Sequence, residues 1–284
     1  MALHTIAAHV RQLSRPLSVL RAATTMSTNH VLLLGGSGKV ARLLTPMLLH
    51  QSWDVTSIIY NPDQIADLKQ LGVNQNGKLN VLVRSLEDIK NETDAKRLID
   101  EIKPSYVVWS AGAGGKGAPE RTEAIDRDAA IHCIRASIAS PYITKFVMIS
   151  FNGCRYEKPP WIDETHWQEY LKVTRNHYQR YYEAKLPADE VLYVEGKKRK
   201  DFAGICLRPG RLSMEPVGKV SLGKFPRVEG YTSRASLAYT AALLLDSHNK
   251  NCWLDILDGD EDPEAAVKRC IEEEVDCAEG EYFY

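Results

Sequence analysis

The chain lacks several features that mark whole classes of protein. None of its apolar runs approaches the roughly 18–20 residues that a bilayer-spanning helix needs, so we expect no integral membrane segment. It also lacks a charge imbalance, because 36 Lys and Arg residues are matched by 37 Asp and Glu residues. Without a basic field, nucleic acid and acidic membrane surfaces are not expected partners.

Metal-binding and disulfide patterns are missing as well. The cysteines form no C-x-x-C pair and show no Cys/His spacing typical of zinc. We therefore expect no metal site and reduced thiols, as in an intracellular protein. The six cysteines are Cys133, Cys154, Cys206, Cys252, Cys270 and Cys277.

Acidic residues are absent from the N-terminal segment, since the first of them is Asp54. Residues 1–25 instead carry Arg11, Arg15 and Arg21, and apolar residues recur there every three or four positions. This composition is typical of a mitochondrial transit peptide and predicts a leader over residues 1–26 with import into the matrix. The alternative is a cytoplasmic protein whose translation starts at Met26.

Residues 27–284 read as a single α/β domain, in which apolar, β-branched runs alternate with helical patterns. Such alternation predicts successive βα units and a doubly wound parallel sheet. The predicted strands are 31–34, 55–59, 80–83, 106–109, 145–149, 203–207 and 252–257. The predicted helices are 39–51, 62–71, 92–102, 120–139, 164–186, 234–247 and 263–274.

An aromatic-rich insertion over residues 151–180 breaks this rhythm. A segment of this kind beyond the carboxyl end of a sheet can form the wall or lid of a ligand pocket. Ordinary helix packing explains the same aromatics, and the sequence leaves both readings open. The aromatics are Tyr156, Trp161, Trp167, Tyr170 and Tyr178.

The stretch VLLLGGSGKVARLL, residues 31–44, contains a Gly-Lys pair that two phosphate-binding loops can explain. A triphosphate loop requires G-x-x-x-x-G-K-[ST]. Here Leu33 stands where the first Gly is required and Val40 stands where Ser or Thr is required, so the motif is not met. A dinucleotide loop requires a strand followed by closely spaced small residues that open a helix, and this stretch supplies them. The cofactor-binding residues predicted here are Gly35, Gly36, Ser37, Gly38, Lys39 and Val40.

The acidic residue that binds the adenosine ribose of NAD is missing after the second strand, where Tyr60 and Asn61 stand. Lys39, Arg42 and Arg84 are cations able to pair with a phosphate. We therefore expect NADP as the cofactor, with NAD as the alternative and Lys39 as one of the few cations able to select NADP. The same basic residues would also suit a solvated surface.

The fourth predicted strand ends in a glycine-rich loop over residues 110–117. A loop with few side chains lets a flat cofactor approach the main chain, so we place Ser110, Ala111 and Gly112 at the cofactor. The fifth strand ends at Ser150, whose hydroxyl would face the same crevice.

Tyr181 and Lys185 follow, one helical turn apart on the same helix face. An ammonium beside a phenol stabilises the phenolate and brings its pKa towards the working range of an acid–base catalyst. This predicts Tyr181 as proton donor, Lys185 as its activating partner and Ser150 as the group that orients a substrate carbonyl.

Several motifs together resemble the short-chain dehydrogenase/reductase superfamily, and within it the atypical NmrA-like or NAD(P)H-binding group, over residues 30 to about 260. The resemblance implies a Rossmann fold with a small C-terminal elaboration on the substrate side, and a cofactor that also contacts Lys185 and the turn at Pro209. The motifs are GGSGKVA (35–41), WSAGAGGKG (109–117), TEAIDRDAA (122–130), KFVMIS (145–150), YYEAKLPADEVL (181–192), LRPGRL (207–212) and LDILDGD (254–260).

Two departures from the group affect these expectations. Such proteins often carry Arg where Tyr60 stands, which leaves the NADP preference open. Pro187 lies two residues beyond Lys185, where its ring is expected to kink the helix beside the catalytic pair.

Three functions follow from these residues. The first is an NAD(P)H-dependent oxidoreductase that acts on a small carbonyl or quinone-like substrate. The second is a non-catalytic NAD(P)-binding sensor or scaffold, in which Tyr181 and Lys185 are structural. The third is sugar-nucleotide epimerase or dehydratase chemistry, which needs a larger C-terminal substrate domain than residues 208–284 supply.

Overall fold

A mostly parallel β-sheet forms the centre of the protein, as seen in a computed structural model that describes residues 29–113 and 119–283. The leader predicted over residues 1–26 lies outside these residues. The seven predicted strands are all present, and three short strands join them. The strands are β1 His30–Leu34, β2 Asp54–Ile59, β3 Leu79–Val83, β4 Tyr106–Trp109, β5 Lys145–Ile149, β6 Ala203–Pro209, β7 Arg211–Ser213, β8 Val220–Leu222, β9 Tyr231–Ser233 and β10 Cys252–Asp258.

The strand order in the large sheet is β3-β2-β1-β4-β5-β6-β10-β8, with β8 antiparallel to β10 at one edge. The direction of winding reverses between β1 and β4, so the chain leaves a crevice at the carboxyl ends of these two strands. This order confirms the predicted doubly wound α/β sheet of the Rossmann type. The short strands β7 and β9 pair with each other in parallel beyond the end of β6.

Helices cover both faces of the sheet. Their bounds are α1 Lys39–His50, α2 Ile65–Lys69, α3 Glu92–Ile102, α4 Pro119–Thr122, α5 Ala130–Ala139, α6 Glu164–His177, α7 Gln179–Gly196, α8 Arg234–Ser247 and α9 Pro263–Glu272. Within the described ranges, no helix is both long and apolar enough to cross a bilayer.

The alternation of side chains along β1 explains why its apolar run is continuous. Val31 and Leu33 pack into one buried cluster with α1, α8 and α9, whereas Leu32 and Leu34 pack into the cluster that includes α3, α5 and α7. A strand that is covered on both faces has no solvent side for polar residues. The crevice at the end of β1 is therefore built on a rigid, dry core.

Three of the helices differ clearly from the predicted bounds. The helix predicted over 62–71 is α-helical only over Ile65–Lys69, with a 3-10 turn on each side. The helix predicted over 120–139 contains a π-helical turn, Glu123–Ala129, between α4 and α5. The helix predicted over 164–186 breaks at Tyr178, and α7 then runs on to Gly196. Pro187 lies inside α7, which continues as one helix beyond it, with Asp189 and Leu192 buried on its far side.

Candidate nucleotide and substrate site

The glycine turn after β1 brings the backbone of two crossover loops into close contact. Gly35 has a φ of 84°, and a Cβ atom there would lie 2.6 Å from the Cα atom of Ala111 in the loop after β4. Only glycine accommodates both the left-handed backbone and this approach. The turn then leads into α1, whose N-cap Gly38 has no capping side chain and whose first turn holds no acidic residue. Its free N–H groups suit a pyrophosphate.

A cleft of about 220 Å³ lies between this turn and the ends of β2, β3 and β4. Eight of the predicted cofactor residues line it: Gly35, Ser37, Gly38, Tyr60, Arg84, Ser110, Ala111 and Gly112. Five others do not. Gly36 and Val40 are buried below the turn, Lys39 is exposed on the first turn of α1, Pro209 ends β6, and Lys185 lies behind the loop after β4.

Seven residues line the same cleft without having been predicted, and three of them are polar. Ser85 and Glu87 follow β3, and Arg121 lies in α4. The crevice of a parallel sheet lies beyond the carboxyl ends of its strands, which is the one signal that singles out Ser85 and Glu87. The apolar remainder consists of Ile58, Ile59, Leu86 and Ile125.

Lys185 forms a buried ion pair with a residue that sequence reasoning missed. Its Nζ atom lies 3.1 Å from Oδ1 of Asp126, and the two side chains are 2% and 0% exposed. The other oxygen of Asp126 accepts a hydrogen bond of 2.8 Å from the backbone N–H of Ala113. Asp126 therefore holds both the lysine and the loop that borders the cofactor cleft.

The π-helical turn explains how Asp126 reaches this position. An extra residue per turn widens the helix and changes the direction of the side chains that follow. A Cβ atom at Gly112 would lie 2.7 Å from Oδ1 of Asp126, so the loop after β4 must be glycine where the carboxylate passes it. Asp126 stands inside the motif TEAIDRDAA, but its direction could not be read from a regular helix.

Tyr181 lies next to Lys185, with the lysine Nζ atom 5.0 Å from the centre of the phenol ring. Burial raises the pKa of Tyr181; the nearby Lys185 lowers it, and Asp126 raises it again. Burial alone would lower the pKa of Lys185, but Tyr181, Asp126 and Asp189 together raise it. Tyr181 is thus a protonated phenol at neutral pH, and the pKa lowering that the Tyr–Lys pattern predicts is outweighed by burial.

Ser150 is buried at the end of β5, and its hydroxyl donates a hydrogen bond of 2.5 Å to Oδ2 of Asp189. Asp189 lies one helical turn beyond Lys185 on α7 and is fully buried. Burial raises the pKa of Asp189 to about 6, although Arg208, Ser150 and Lys185 oppose this change. The hydroxyl proton of Ser150 is therefore engaged by Asp189 in this structure.

A second cavity, of about 270 Å³, opens beyond the ends of β5 and β6. Tyr170, Thr174 and Tyr178, from the predicted aromatic insertion, line one side of it. Its full lining is Phe151, Asn152, Tyr170, Thr174, Tyr178, Gly210, Arg211, Val228, Glu229, Gly230 and Tyr231. Because β4, β5 and β6 are neighbours in the sheet, this cavity follows the cofactor cleft along the same edge.

Tyr181 connects the two cavities through its neighbours. Its ring lies 6.0 Å from the ring of Phe151, which in turn lies 5.5 Å from the ring of Tyr178. On the opposite side, Lys185 and Asp126 join it to the loop that lines the cofactor cleft.

A buried ionic network supports the floor of this region. The Nη2 atom of Arg155 lies 2.7 Å from Asp255, and its Nη1 atom lies 3.1 Å from Glu281 near the C-terminus. Arg208, on β6, lies 3.3 Å from Asp255 and 4.0 Å above the ring of Trp253. These pairs connect the loop after β5 to β6, β10 and the C-terminal segment.

The glycine turn, the uncapped helix and the cleft at the reversal point of the sheet define a dinucleotide-binding protein of the Rossmann type. The comparison with known families agrees, since residues 35–248 match the model of the NAD(P)H-binding family. The chain belongs to this family. The resemblance to NAD(P)H-binding proteins that the motifs predict is thereby confirmed.

Similar proteins span nearly the whole described chain. The UPF0659 protein C216.03 of Schizosaccharomyces pombe is 31% identical over 230 residues, which cover 79% of this chain and 88% of that one. A solved structure described as a "putative NAD-dependent epimerase/dehydratase" from Bacillus halodurans is 26% identical, with a TM-score of 0.66, and covers 85% of this chain and 99% of its own. The oxidoreductase ylbE of Lactococcus lactis shares the fold at 17% identity, with a TM-score of 0.64 over 86% of this chain and 97% of its own.

Proposed function

We propose that this protein is an NAD(P)H-dependent oxidoreductase that reduces a small carbonyl or quinone-like substrate, with NADPH as its preferred donor. The observation that carries the proposal is the position of Tyr181, which links the cofactor cleft to the aromatic cavity. A proton donor is needed at the junction between hydride donor and acceptor.

The residues of the cleft fit a dinucleotide. A side chain at Gly35 would fill the space against Ala111, and the N-terminus of α1 carries no competing carboxylate. When bound, the nicotinamide supplies a hydride to the substrate carbon. The backbone of residues 35–38 and 110–112 would hold the pyrophosphate and the flat rings.

The chain's own contribution is the proton. The Tyr181 phenol, which burial keeps protonated, donates its proton to the oxygen on which negative charge develops and then recovers one from solvent. Lys185 stabilises the phenolate that is left, and Asp126 holds Lys185 in place. Ser150 would orient the substrate oxygen only after its hydroxyl turns away from Asp189.

The aromatic cavity is the proposed substrate site. Its four rings favour a planar, conjugated acceptor, because stacked and edge-on aromatic contacts orient flat molecules. Arg211 and the amide of Asn152 supply polar contacts at its wall, and Asn152 itself is held by a hydrogen bond of 2.7 Å to the carbonyl of Val228.

One observation favours the alternative of a non-catalytic nucleotide sensor. The ammonium of Lys185 is already neutralised by Asp126, so it activates Tyr181 less than a free lysine would. The description of the Bacillus halodurans structure keeps epimerase or dehydratase chemistry as a further candidate, which needs the same tyrosine.

Titration of the purified protein with NADPH and NADH, followed by nucleotide fluorescence, is the first test. Turnover on a panel of quinones, flat conjugated carbonyls and small aldehydes is the second. Binding with turnover supports the oxidoreductase. Binding without turnover on any member of the panel supports the sensor, and failure to bind either nucleotide contradicts both.

A further inference from the structure

Charged side chains line the cleft beyond the ends of β2 and β3, where a Rossmann fold places the adenosine of its dinucleotide. Arg84 and Glu87 follow β3, Arg121 lies in α4, and Tyr60 follows β2. Two guanidinium groups and one carboxylate give this part of the lining a net positive charge.

The two arginines are held differently. Nε of Arg121 donates a hydrogen bond of 2.8 Å to Oε1 of Glu87, and its Cζ atom lies 5.6 Å from the centre of the Tyr60 ring. Arg84 lies 3.5 Å from Glu101 in a pair that is more than half exposed on both sides. Exposed pairs of this length are weak, so Arg84 is available to a stronger anion.

The other basic residues near the turn are less well placed. Arg42 is paired with Asp67, and Lys39 is exposed on α1 and does not line the cleft. The cation that the sequence singles out is therefore not among those that face the cofactor's adenosine end.

We propose that Arg84 and Arg121 recognise the 2′-phosphate of NADP and replace the arginine that is missing at Tyr60, while Glu87 opposes them. The inference rests on the proposed function, since it concerns the cofactor of that site. A phosphate forms charge-assisted hydrogen bonds to guanidinium groups, and it would draw Arg121 away from Glu87. With NADH, Glu87 is left to accept a hydrogen bond from the ribose hydroxyls, as carboxylates in such clefts do.

The opposing roles of the arginines and Glu87 predict different effects for four variants. Arg121→Ala and Arg84→Ala should each raise the Kd of NADPH about tenfold, with less than about threefold change for NADH. Glu87→Gln should have the opposite effect and lower the Kd of NADPH relative to that of NADH by about threefold or more. Arg121→Lys keeps the charge without the planar guanidinium and should lie between Arg121→Ala and the unmodified protein.

The test is equilibrium binding, so it does not depend on turnover. NADPH and NADH are titrated by fluorescence, and 2′,5′-ADP and 5′-AMP compete for the site as fragments that differ only by the 2′-phosphate. Arg97→Ala is the matched control, because Arg97 is exposed on α3 and pairs only with Asp94 among the described residues. Circular dichroism checks that each variant is folded.

Selective loss of NADPH and 2′,5′-ADP in the two arginine variants supports the inference. Equal loss of both nucleotides, or a selective loss confined to Lys39→Ala, overturns it and leaves the oxidoreductase proposal intact. Failure of the unmodified protein to bind either nucleotide overturns both together.

Discussion

The carboxylate of Asp126 lies 3.1 Å from the ammonium of Lys185, and neither side chain is reached by solvent. The pair joins the π-helical turn after α4 to α7, and it determines the charge that Tyr181 experiences. Burial raises the pKa of the phenol above its usual value; the ammonium of Lys185 opposes this change, and the carboxylate of Asp126 offsets part of that opposition. The phenol therefore keeps its proton at neutral pH, as the proposed role of Tyr181 requires.

Asp126→Asn should lower the pKa of Tyr181. The amide can still accept the hydrogen bond from Ala113, but it removes the negative charge that raises the pKa of Tyr181. Reduction requires the protonated phenol, and activity falls as pH rises through the pKa of Tyr181. The alkaline limb of the pH–rate profile should therefore move to lower pH.

Asp128→Asn is the matched control, because Asp128 lies on the same turn and pairs with Arg127 at a half-exposed position. Its profile should superimpose on that of the unmodified protein. An unchanged alkaline limb in Asp126→Asn would show that the carboxylate does not act on Tyr181.

Asp189 predicts a pH-dependent stability. Burial raises its pKa to about 6 in the folded protein, from 3.8 when exposed. Between these values the folded protein holds a proton that the unfolded chain has released. The stabilisation of the folded protein by protonated Asp189 is therefore complete below about pH 4, and it is lost as pH rises through about 6. The free energy of unfolding changes by a total on the order of 3 kcal/mol across this pH range.

Asp189→Asn should remove this dependence while preserving an acceptor for Ser150. Urea unfolding at several pH values from about 4 to 7.5 gives the free energy of unfolding of both proteins. The difference between the variant and the unmodified protein at each pH measures the effect of Asp189. Relative to the variant, the unmodified protein should lose stability across this window. A difference that is constant with pH would contradict the prediction.

Arg155→Met should destabilise the fold strongly. Arg155 is fully buried and faces both Asp255 and Glu281, so its loss leaves the carboxylate of Glu281 without its cation and Asp255 with Arg208 alone. Breaking a buried pair in this way costs about 3–5 kcal/mol. Arg97→Met, which removes an exposed partner of Asp94, should cost less than about 1 kcal/mol in the same denaturation experiment. Similar costs for both variants would contradict the role of the network.

Phe151→Ala should separate substrate binding from cofactor binding. The ring lines the aromatic cavity and contacts both Tyr178 and Tyr181, but it does not line the cofactor cleft. The KM for a flat acceptor should rise by about tenfold, whereas the Kd of NADPH should stay within about twofold. If both constants rise together, the two cavities do not have separate roles.

The sheet was predictable because its strands are covered on both faces. Continuous apolar runs such as VLLL in β1 and KFVMI in β5 have no other stable environment, whereas the edge strand β3 is only partly buried. The strands β7, β8 and β9 were missed, since three residues carry too little pattern to distinguish a strand from a loop.

The candidate site was predictable where backbone dominates. Gly35 and Gly112 are required by close approach, and such positions are visible as glycines in the sequence. Asp126, Asp189 and Arg121 were missed because their roles depend on tertiary contacts with Lys185, Ser150 and Glu87. Of these three residues, only Asp189 could be inferred from the local sequence, since it lies one helical turn beyond Lys185.

The most direct test of the central claim is a single-turnover experiment on Tyr181→Phe, with Tyr182→Phe as the control on the neighbouring half-buried tyrosine. A substrate that the unmodified protein reduces is mixed with enzyme preloaded with NADPH, and oxidation of the nicotinamide is followed by absorbance. We expect Tyr181→Phe to bind NADPH normally and to react about 10² to 10⁴ times more slowly, and Tyr182→Phe to be unchanged. Equal rates in all three proteins would contradict it.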